Sequence, residues 1–322
     1  MEGRAPDRIT ARREAARQRR RARRRRVLAG SLLIAAAVAI AILVFGGDSG
    51  SKRGRGASSP PNAKGSGPPG GGSHGGGGHG TLVRNARPQP DWKPDTGPVP
   101  ILEYHVLGNP IPGAPYPELF VTRPDFTQEM DWLESHGYQA VTLDEVEKAW
   151  YHGGTLPAKP VVISFDDGYR PQYTFALPVL RRHGWPGLLN LKAQGSDLYT
   201  SNVEAMIAAG WELAAHTIHH LDLTTLGLSQ LKLEVAGSRA ILRHEYKVPV
   251  DNFCYPSGRF DSGVVAAVKA AGYVGATTEI PGDASRGKPY ELDRFEILGS
   301  TGVSGLAADL SGNGPTGQHV PG

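Results

Sequence analysis

Two adjacent aspartates, Asp166 and Asp167, close the run Pro160–Phe165 and are followed by Gly168. A short, mostly apolar run that ends at a glycine turn predicts a strand buried on both faces. Two carboxylates at such a position raise each other's pKa and lose their hydration, so the fold must compensate them. The pair therefore constrains the chain to a fold that gathers a cation or a reaction at the end of a buried strand.

Three histidines lie further along, in the segment 216–220, which follows the strand-like run Trp211–Ala215. His216 and His220 are four residues apart, a spacing that lets two imidazoles converge on one ion. With Asp167 they would supply two nitrogens and one oxygen, and they would leave coordination positions open for water and substrate. This ligand set is typical of a catalytic metal site. It suits zinc best, although cobalt or nickel would also fit.

Asp166 would stay free of the metal beside this site, where a carboxylate can accept a proton from water. A divalent ion lowers the pKa of a bound water and polarises a carbonyl group. The residues alone therefore predict a metal-assisted hydrolysis in which Asp166 is the base.

Strand-like and helix-like segments alternate through the rest of the chain. Strands are predicted at 101–104, 139–141, 161–165, 187–191, 211–215, 252–255, 273–277 and 294–298, and helices at 125–136, 143–150, 172–183, 202–209, 229–246 and 262–271. Repeated strand–helix units give a parallel sheet covered by helices. We expect an α/β fold, a distorted (β/α) barrel of about seven parallel strands, with functional residues at the carboxyl ends of its strands.

The N-terminal part carries a different signal. Residues 1–26 are rich in arginine and adjoin the uncharged apolar run 27–45. That run would span roughly 28 Å as a helix, about one hydrocarbon core. The arginines predict a cytoplasmic N-terminus and a single-pass membrane helix, with the catalytic part outside the cytoplasm. A cleaved signal peptide is one alternative, and a DNA-binding arm is another for the arginines.

Residues 46–97 are rich in glycine, serine and proline and predict a disordered linker, and residues 311–322 predict a disordered tail. This leaves 98–310 as the globular domain. The chain has a net charge of +4, but its arginines concentrate in the N-terminal tail, so the domain is acidic and no nucleic-acid partner is expected. Cys254 is the single cysteine, which excludes an intrachain disulfide, and its apolar neighbours predict a buried packing residue. No obligate protein partner is predicted.

The segments 164–168 (Ser-Phe-Asp-Asp-Gly) and 216–220 (His-Thr-Ile-His-His) resemble the first two motifs of the NodB-homology polysaccharide deacetylases, carbohydrate esterase family 4. The resemblance covers residues 98–300. It implies that the first aspartate of the pair is the general base, and that the second binds the metal with the first and last histidines. These are the roles that the residue types suggest on their own.

Two later motifs depart from the family. The segment 253–258 lacks the arginine that orients the base, and no Leu-x-His motif follows Leu298. A branch of the family, the poly-N-acetylglucosamine deacetylases, places its acid histidine early, in a motif similar to Tyr104-His105. The resemblance therefore implies His105 as the acid that protonates the leaving amine. The alternative is a histidine that only caps a strand. Arg294 is the candidate substitute for the missing arginine beside Asp166.

The turn 255–258, which includes Ser257, is the candidate backbone donor for an oxyanion. Tyr255 is either a wall for a sugar ring or a core residue. We expect a membrane-anchored, metal-dependent enzyme that hydrolyses N-acetyl groups of a cell-envelope or extracellular polysaccharide. The alternatives are an O-acetyl esterase of the xylan type on the same site, and a non-catalytic glycan-binding protein, which the missing arginine suggests.

Overall fold

The computed structural model of the chain describes residues 82–312. The strands of this part are β1 (Ile101–Tyr104), β2 (Val106–Leu107), β3 (Phe120–Val121), β4 (Gln139–Ala140), β5 (Pro160–Asp166), β6 (Leu188–Leu191), β7 (Glu212–Ala215), β8 (Asn252–Cys254), β9 (Gly275–Thr277) and β10 (Phe295–Glu296). One parallel sheet has the order β10-β1-β5-β6-β7-β8-β9, and β4 pairs with the beginning of β5. β2 and β3 form a separate parallel pair.

The described helices are α1 (Arg123–Ser135), α2 (Leu143–His152), α3 (Leu177–His183), α4 (Thr200–Ala208), α5 (Leu228–Lys232), α6 (Ser238–Tyr246), α7 (Ser262–Ala270) and α8 (Gly302–Leu310). A π-helical turn, Gln172–Ala176, leads into α3, and a second, Leu233–Gly237, joins α5 to α6. Threonine side chains begin α1 and α2, since Thr122 and Thr142 each accept a hydrogen bond from the backbone N–H three residues ahead.

The segment from Leu292 to Ile297 contains β10, one edge of the sheet, and also bonds to β9, the other edge. The N–H of Leu292 donates to the carbonyl of Ala276 in β9 at 2.9 Å, and the N–H of Ile297 donates to the carbonyl of Glu103 in β1 at 2.9 Å. The predicted α/β fold with about seven parallel strands is therefore confirmed as a half-barrel whose two edges both bond to this segment.

Alternate residues of the central strands face opposite sides of the sheet, as strand geometry requires. Val161, Ile163 and Phe165 join the larger apolar cluster, whereas Val162 joins a second cluster with residues of β1, β6 and β7. Asp166 shares the face of Val162 because the period of a strand is two. Polar residues therefore enter the barrel interior at the carboxyl end of β5.

The globular part begins earlier than predicted. Residues 82–97, assigned to the linker from their composition, are packed: Trp92 is 4% exposed, and the side-chain amide of Asn85 donates to the carbonyl of Ala140 at 3.1 Å. The amide and carbonyl of Lys93 bond to Leu156. The buried side chains of Val83, Asn85 and Trp92, together with these hydrogen bonds, hold a segment whose average composition is that of a linker.

Helix α8 is a second difference, because no helix was predicted after residue 298. Its small residues give a weak periodic pattern, yet Leu306 is fully buried and the helix packs against α1. Within residues 82–312, no helix is long and apolar enough to cross a membrane. The predictions for residues 1–26, 27–45, 46–81 and 313–322 lie outside the described residues.

Candidate active site

The two aspartates are separated by a sharp turn at the end of β5. Asp166 is the last residue of the strand, whereas Asp167 and Gly168 have φ values of 73° and 80°. A β-carbon at Gly168 would lie 2.5 Å from Oγ of Ser196 and 2.6 Å from Cδ1 of Leu191, so this position requires glycine. The left-handed turn places the two neighbouring carboxylates in different surroundings, so that their charges do not lie side by side.

The histidine loop follows β7 and also contains left-handed residues, Thr217 at φ 63° and His220 at φ 58°. The Oγ1 of Thr217 accepts a hydrogen bond from the backbone N–H of His220 at 2.8 Å, which closes the loop. Nδ1 of His216 lies 2.9 Å from the carbonyl of Cys254, so its Nε2 is the nitrogen left for other partners. The rings of His216 and His220 have centroids 4.8 Å apart.

One oxygen of Asp167 faces both imidazoles. Its Oδ1 lies 4.0 Å from Nε2 of His216 and 3.6 Å from Nε2 of His220. This Oδ1 is buried and has no hydrogen-bond partner. Nζ of Lys192 lies 3.4 Å from the same oxygen. Ligands held about 2.1 Å from a tetrahedral zinc ion are about 3.4 Å apart, so these three side chains fit a divalent ion after small shifts.

Burial also sets the protonation of the two histidines. It lowers the pKa of His216, and it lowers the pKa of His220 to about 4 with help from the neighbouring His216 charge. Both imidazoles are therefore neutral near pH 7, which is the form that binds metal ions. The ligand atoms of these two residues and Asp167 lie within 4.8 Å of one another, so the predicted triad is brought together.

Asp166 is surrounded by donors. Nη1 and Nη2 of Arg294 donate to its Oδ1 and Oδ2, each at 2.9 Å. Nδ2 of Asn190 donates to Oδ1 at 2.7 Å, and the thiol of Cys254 donates to Oδ2 at 3.3 Å. Burial alone would raise the pKa of Asp166, but the Arg294 guanidinium outweighs it and holds the pKa well below its usual range. Asp166 is therefore ionised at any working pH.

Arg294 takes the place that the missing family arginine leaves open, as its position suggested. It is fully buried, and its Nε donates to the carbonyl of Thr278 at 2.7 Å. Its Nη2 also lies 3.1 Å from Oε1 of Glu103, which is fully buried as well. The guanidinium thus pairs with Asp166 and lies beside Glu103, and its burial leaves no surface for a sugar ring. Burial raises the pKa of Glu103 well above its usual value, although Arg294 opposes this shift.

His105 lies beside this ion pair. Its Nε2 is 3.7 Å from Oε1 of Glu103, and its ligand atoms lie within 4.8 Å of those of Glu103 and Asp166. The side chain is 7% exposed, and burial lowers its pKa. The carbonyl of His105 accepts a hydrogen bond from Nε2 of Gln172 at 3.0 Å, which fixes the backbone between β1 and β2.

The two residues predicted in the turn at 255–258 lie in different surroundings. The Tyr255 ring is fully buried, stacks on Phe260 at 4.8 Å and donates its hydroxyl to the carbonyl of Tyr290 at 3.0 Å. Of the two readings, Tyr255 is the core residue. Its N–H donates to the carbonyl of Thr277 at 3.2 Å, so it already has an acceptor. Ser257 has a left-handed φ of 52° and is half-buried, and its role as an oxyanion donor stays a prediction.

The sequence analysis assigned no role at the site to three residues, although it correctly predicted that Cys254 is buried. Glu103, Asn190 and Cys254 contact Asp166 or Arg294, and Cys254, predicted as a packing residue, also contacts both. The available signal was the strand period: each is a polar or sulfur-containing side chain at an interior-facing position of an otherwise apolar strand.

Known proteins resemble this chain in sequence and in fold. A family model described as polysaccharide deacetylase matches residues 153–276. The chain is 33% identical over 217 residues to YxkH of Bacillus subtilis, a polysaccharide deacetylase homologue, covering 65% of this chain and 74% of that protein. It is 27% identical over 171 residues to the poly-beta-1,6-N-acetyl-D-glucosamine N-deacetylase of Staphylococcus epidermidis, covering 47% of this chain and 58% of the relative.

Among solved structures, the Streptococcus pyogenes deacetylase PplD, determined in complex with acetate, is similar with a TM-score of 0.62 and 23% identity. The match covers 67% of this chain and 99% of PplD, and at that identity it concerns the fold. The matched family segment carries the aspartate pair and the histidine loop, and YxkH is matched over most of its own length. The chain therefore belongs to the polysaccharide deacetylase family of hydrolases, the NodB-homology enzymes of carbohydrate esterase family 4.

Proposed function

We propose that this chain is a metal-dependent N-deacetylase of a cell-envelope or extracellular polysaccharide. The observation that carries the proposal is the contrast between the two aspartates. Asp166 accepts hydrogen bonds at both oxygens, whereas Oδ1 of Asp167 is buried without one and faces two neutral imidazoles. A buried carboxylate oxygen without a hydrogen bond is costly. The Lys192 ammonium 3.4 Å away offsets part of that cost, and a cation bound between the oxygen and the two rings would offset more.

The donor set favours zinc, and cobalt or nickel suit it as well. When bound, such an ion lowers the pKa of a water molecule and polarises the amide carbonyl of the substrate. The side chains of the protein supply the proton transfers. Asp166 is ionised and adjoins the triad, so it is the group to take the proton from the attacking water.

His105 is the group that protonates the leaving amine. Its ring is neutral at rest because burial lowers its pKa, so it must gain a proton during the cycle. The ligand atoms of Asp166 and His105 lie within 4.8 Å, which is too far for a direct hydrogen bond, so a bridging water or substrate group would carry the proton between them. The water proton would then pass from Asp166 to His105 and on to the amine, while the carbon–nitrogen bond breaks and acetate leaves.

An N-acetylated glycan is the substrate class that the family and the named Staphylococcus epidermidis relative support. The guanidinium of Arg294 on Asp166 removes the reason for a non-catalytic, glycan-binding alternative, because the base is held despite the missing motif arginine. An O-acetyl ester, hydrolysed at the same site, remains the rival substrate.

The location of the enzyme is also part of the proposal. The arginine-rich residues 1–26 and the apolar run 27–45 support a single-pass membrane anchor with the N-terminus in the cytoplasm and the catalytic domain outside. A glycan outside the cytoplasmic membrane is within reach of a domain tethered in this way. Labelling of single cysteines placed on either side of the run, with a membrane-impermeant reagent on intact cells, tests this orientation.

Acetate release by the full-length protein in detergent tests the reaction. We expect release from β-1,6-linked N-acetylglucosamine oligomers, loss of release after chelation, and recovery with added zinc. Acetylated xylan serves as the ester-only substrate. Release from xylan alone would replace the amidase by the esterase, and release that persists after complete chelation would contradict the metal dependence.

A further inference from the structure

The loop that carries His216 and His220 holds two left-handed residues that are not glycine, Thr217 at φ 63° and His220 at φ 58°. Such residues are unfavourable unless surrounding contacts fix them. The loop must therefore be held from outside if both imidazoles are to point at the same place as Asp167.

One side of the loop is held by backbone bonds. The N–H of Ala193 donates to the carbonyl of Thr217 at 3.0 Å, and the N–H of Gln194 donates to the carbonyl of Ile218 at 3.1 Å. Both donors follow β6, so this side of the loop continues the pairing of β6 with β7. These bonds fix the carbonyls of the loop but leave its N–H groups to find acceptors elsewhere.

A single side chain, Glu234, accepts from the other side. It is 1% exposed, and its Oε2 accepts hydrogen bonds from the N–H of Ile218 at 3.0 Å and of His219 at 2.9 Å. Its Oε1 lies 2.7 Å from Nδ1 of the His219 ring. The carboxylate thus bonds to the two consecutive amides between the two candidate ligands.

Glu234 lies in the π-helical turn Leu233–Gly237, an irregularity between two α-helices that is frequent at functional sites. The turn also brings Gly237 against the loop, because a β-carbon there would meet Cδ1 of Ile218 at 3.0 Å. Backbone and side chain of the turn therefore both contact the histidine loop.

We propose that Glu234 is a positioning residue of the metal site: it fixes the loop conformation in which His216 and His220 converge on Asp167. The inference rests on the proposed function, since it concerns the ion that these three residues would bind. Glu234 contacts none of the reacting atoms. Its removal should weaken metal binding more than it weakens folding.

The test is metal titration of the full-length apoprotein, with Co²⁺ followed by its absorption spectrum and Zn²⁺ followed by competition. Glu234→Ala should raise both dissociation constants about 10- to 100-fold, as for other residues that orient metal ligands, and should alter the cobalt spectrum. Glu234→Gln keeps an acceptor for the two amides without the charge, and should raise them about three- to tenfold.

Leu242→Ala is the matched control, because Leu242 is buried on α6, one element beyond the π-helical turn. It should lower the melting temperature and leave both dissociation constants unchanged. Unchanged constants in a folded Glu234→Ala would overturn the proposal. If that variant does not fold, unchanged constants in Glu234→Gln would overturn it. If the unmodified protein binds neither ion, the proposed function fails first, and this inference fails with it.

Discussion

Asp166 and Asp167 are neighbours in the chain, yet the protein treats them in opposite ways. Asp166 accepts hydrogen bonds from an amide on β6, a thiol on β8 and a guanidinium in the segment before β10. Asp167 keeps a buried oxygen without a donor, next to two imidazoles. A strand end can thus hold two carboxylates when one is compensated by a buried arginine, and the other lies between two imidazoles and the Lys192 ammonium, where an ion from solution can bind.

The backbone differs in the same way. Asp166 lies in a regular strand, whereas Asp167, Thr217 and His220 all have left-handed backbone angles. Such conformations are unfavourable for residues other than glycine and concentrate at functional sites. The charge network around Asp166 is therefore built into the barrel, and the triad is built on strained turns that outside contacts must hold.

Removal of Arg294 should give the largest effect. Arg294→Ala leaves Asp166 and Glu103 buried without their cation, and a broken buried ion pair costs about 3–5 kcal/mol. We expect a loss of that size in the free energy of unfolding, measured with urea, together with loss of acetate release. Arg259→Ala is the control, since its pair with Asp222 is 47% exposed on the arginine side and should contribute less than about 1 kcal/mol. Equal losses for the two variants would contradict the account of the buried network.

Removal of one triad histidine should weaken metal binding and should leave the free energy of unfolding of the metal-free protein nearly unchanged. His220→Ala deletes a candidate ligand on a half-exposed loop, so we expect a dissociation constant for Zn²⁺ raised on the order of 100-fold or more, with little change in the unfolding of the metal-free protein. His244→Ala is the matched control, because His244 is exposed on α6 and is not one of the candidate ligands. Similar zinc affinities for these two variants would show that the ligand has been misassigned.

Glu129 is another buried carboxylate, and it accepts a hydrogen bond from a neutral hydroxyl group instead of a cation. Tyr104 donates to its Oε2 at 2.9 Å, and burial raises the pKa of Glu129 to about 7 from its usual 4.5. Its contribution to stability is full below about pH 4.5 and is lost as the pH rises through 7. Asp166 has the opposite dependence, because its pKa is lowered in the folded protein.

Glu129→Gln keeps the acceptor for Tyr104 and removes the titration. We expect the variant to gain stability over the unmodified protein on going from pH 5 to pH 8, by on the order of 2 kcal/mol. The difference between the two proteins is measured by urea unfolding at each pH, so that the other buried carboxylates cancel. A difference that does not change with pH would show that Glu129 titrates normally in the folded state.

Much of this architecture follows from local sequence patterns. The strands that carry Asp166 and His216 are short apolar runs closed by turns, and their polar ends fall at one edge of a parallel sheet. Local sequence patterns could not identify partners that lie far from Asp166 along the chain. Arg294 reaches Asp166 across 128 residues because the segment 292–297 bonds to both β1 and β9, whereas the sequence offered it only as a candidate partner of Asp166.

The average composition of a segment did not predict whether that segment packs on the domain. The stretch 82–97 has the composition of a linker, but buried side chains, Trp92 among them, hold it on the domain. Glu103 and Asn190 interrupt apolar strands at interior positions, and a partner could be assigned to them only once the neighbouring strands were known. A periodic pattern shows which face a residue occupies, whereas strand order decides which charge it meets.

Zinc content and turnover of Asp166→Asn and Asp167→Asn, purified side by side and checked for folding by circular dichroism, test the division of labour between the two aspartates most directly. The account predicts that Asp166→Asn retains about one zinc ion per chain but releases no acetate, and that Asp167→Asn loses the zinc. Full acetate release by Asp166→Asn, or a zinc content in Asp167→Asn equal to that of the unmodified protein, would contradict it.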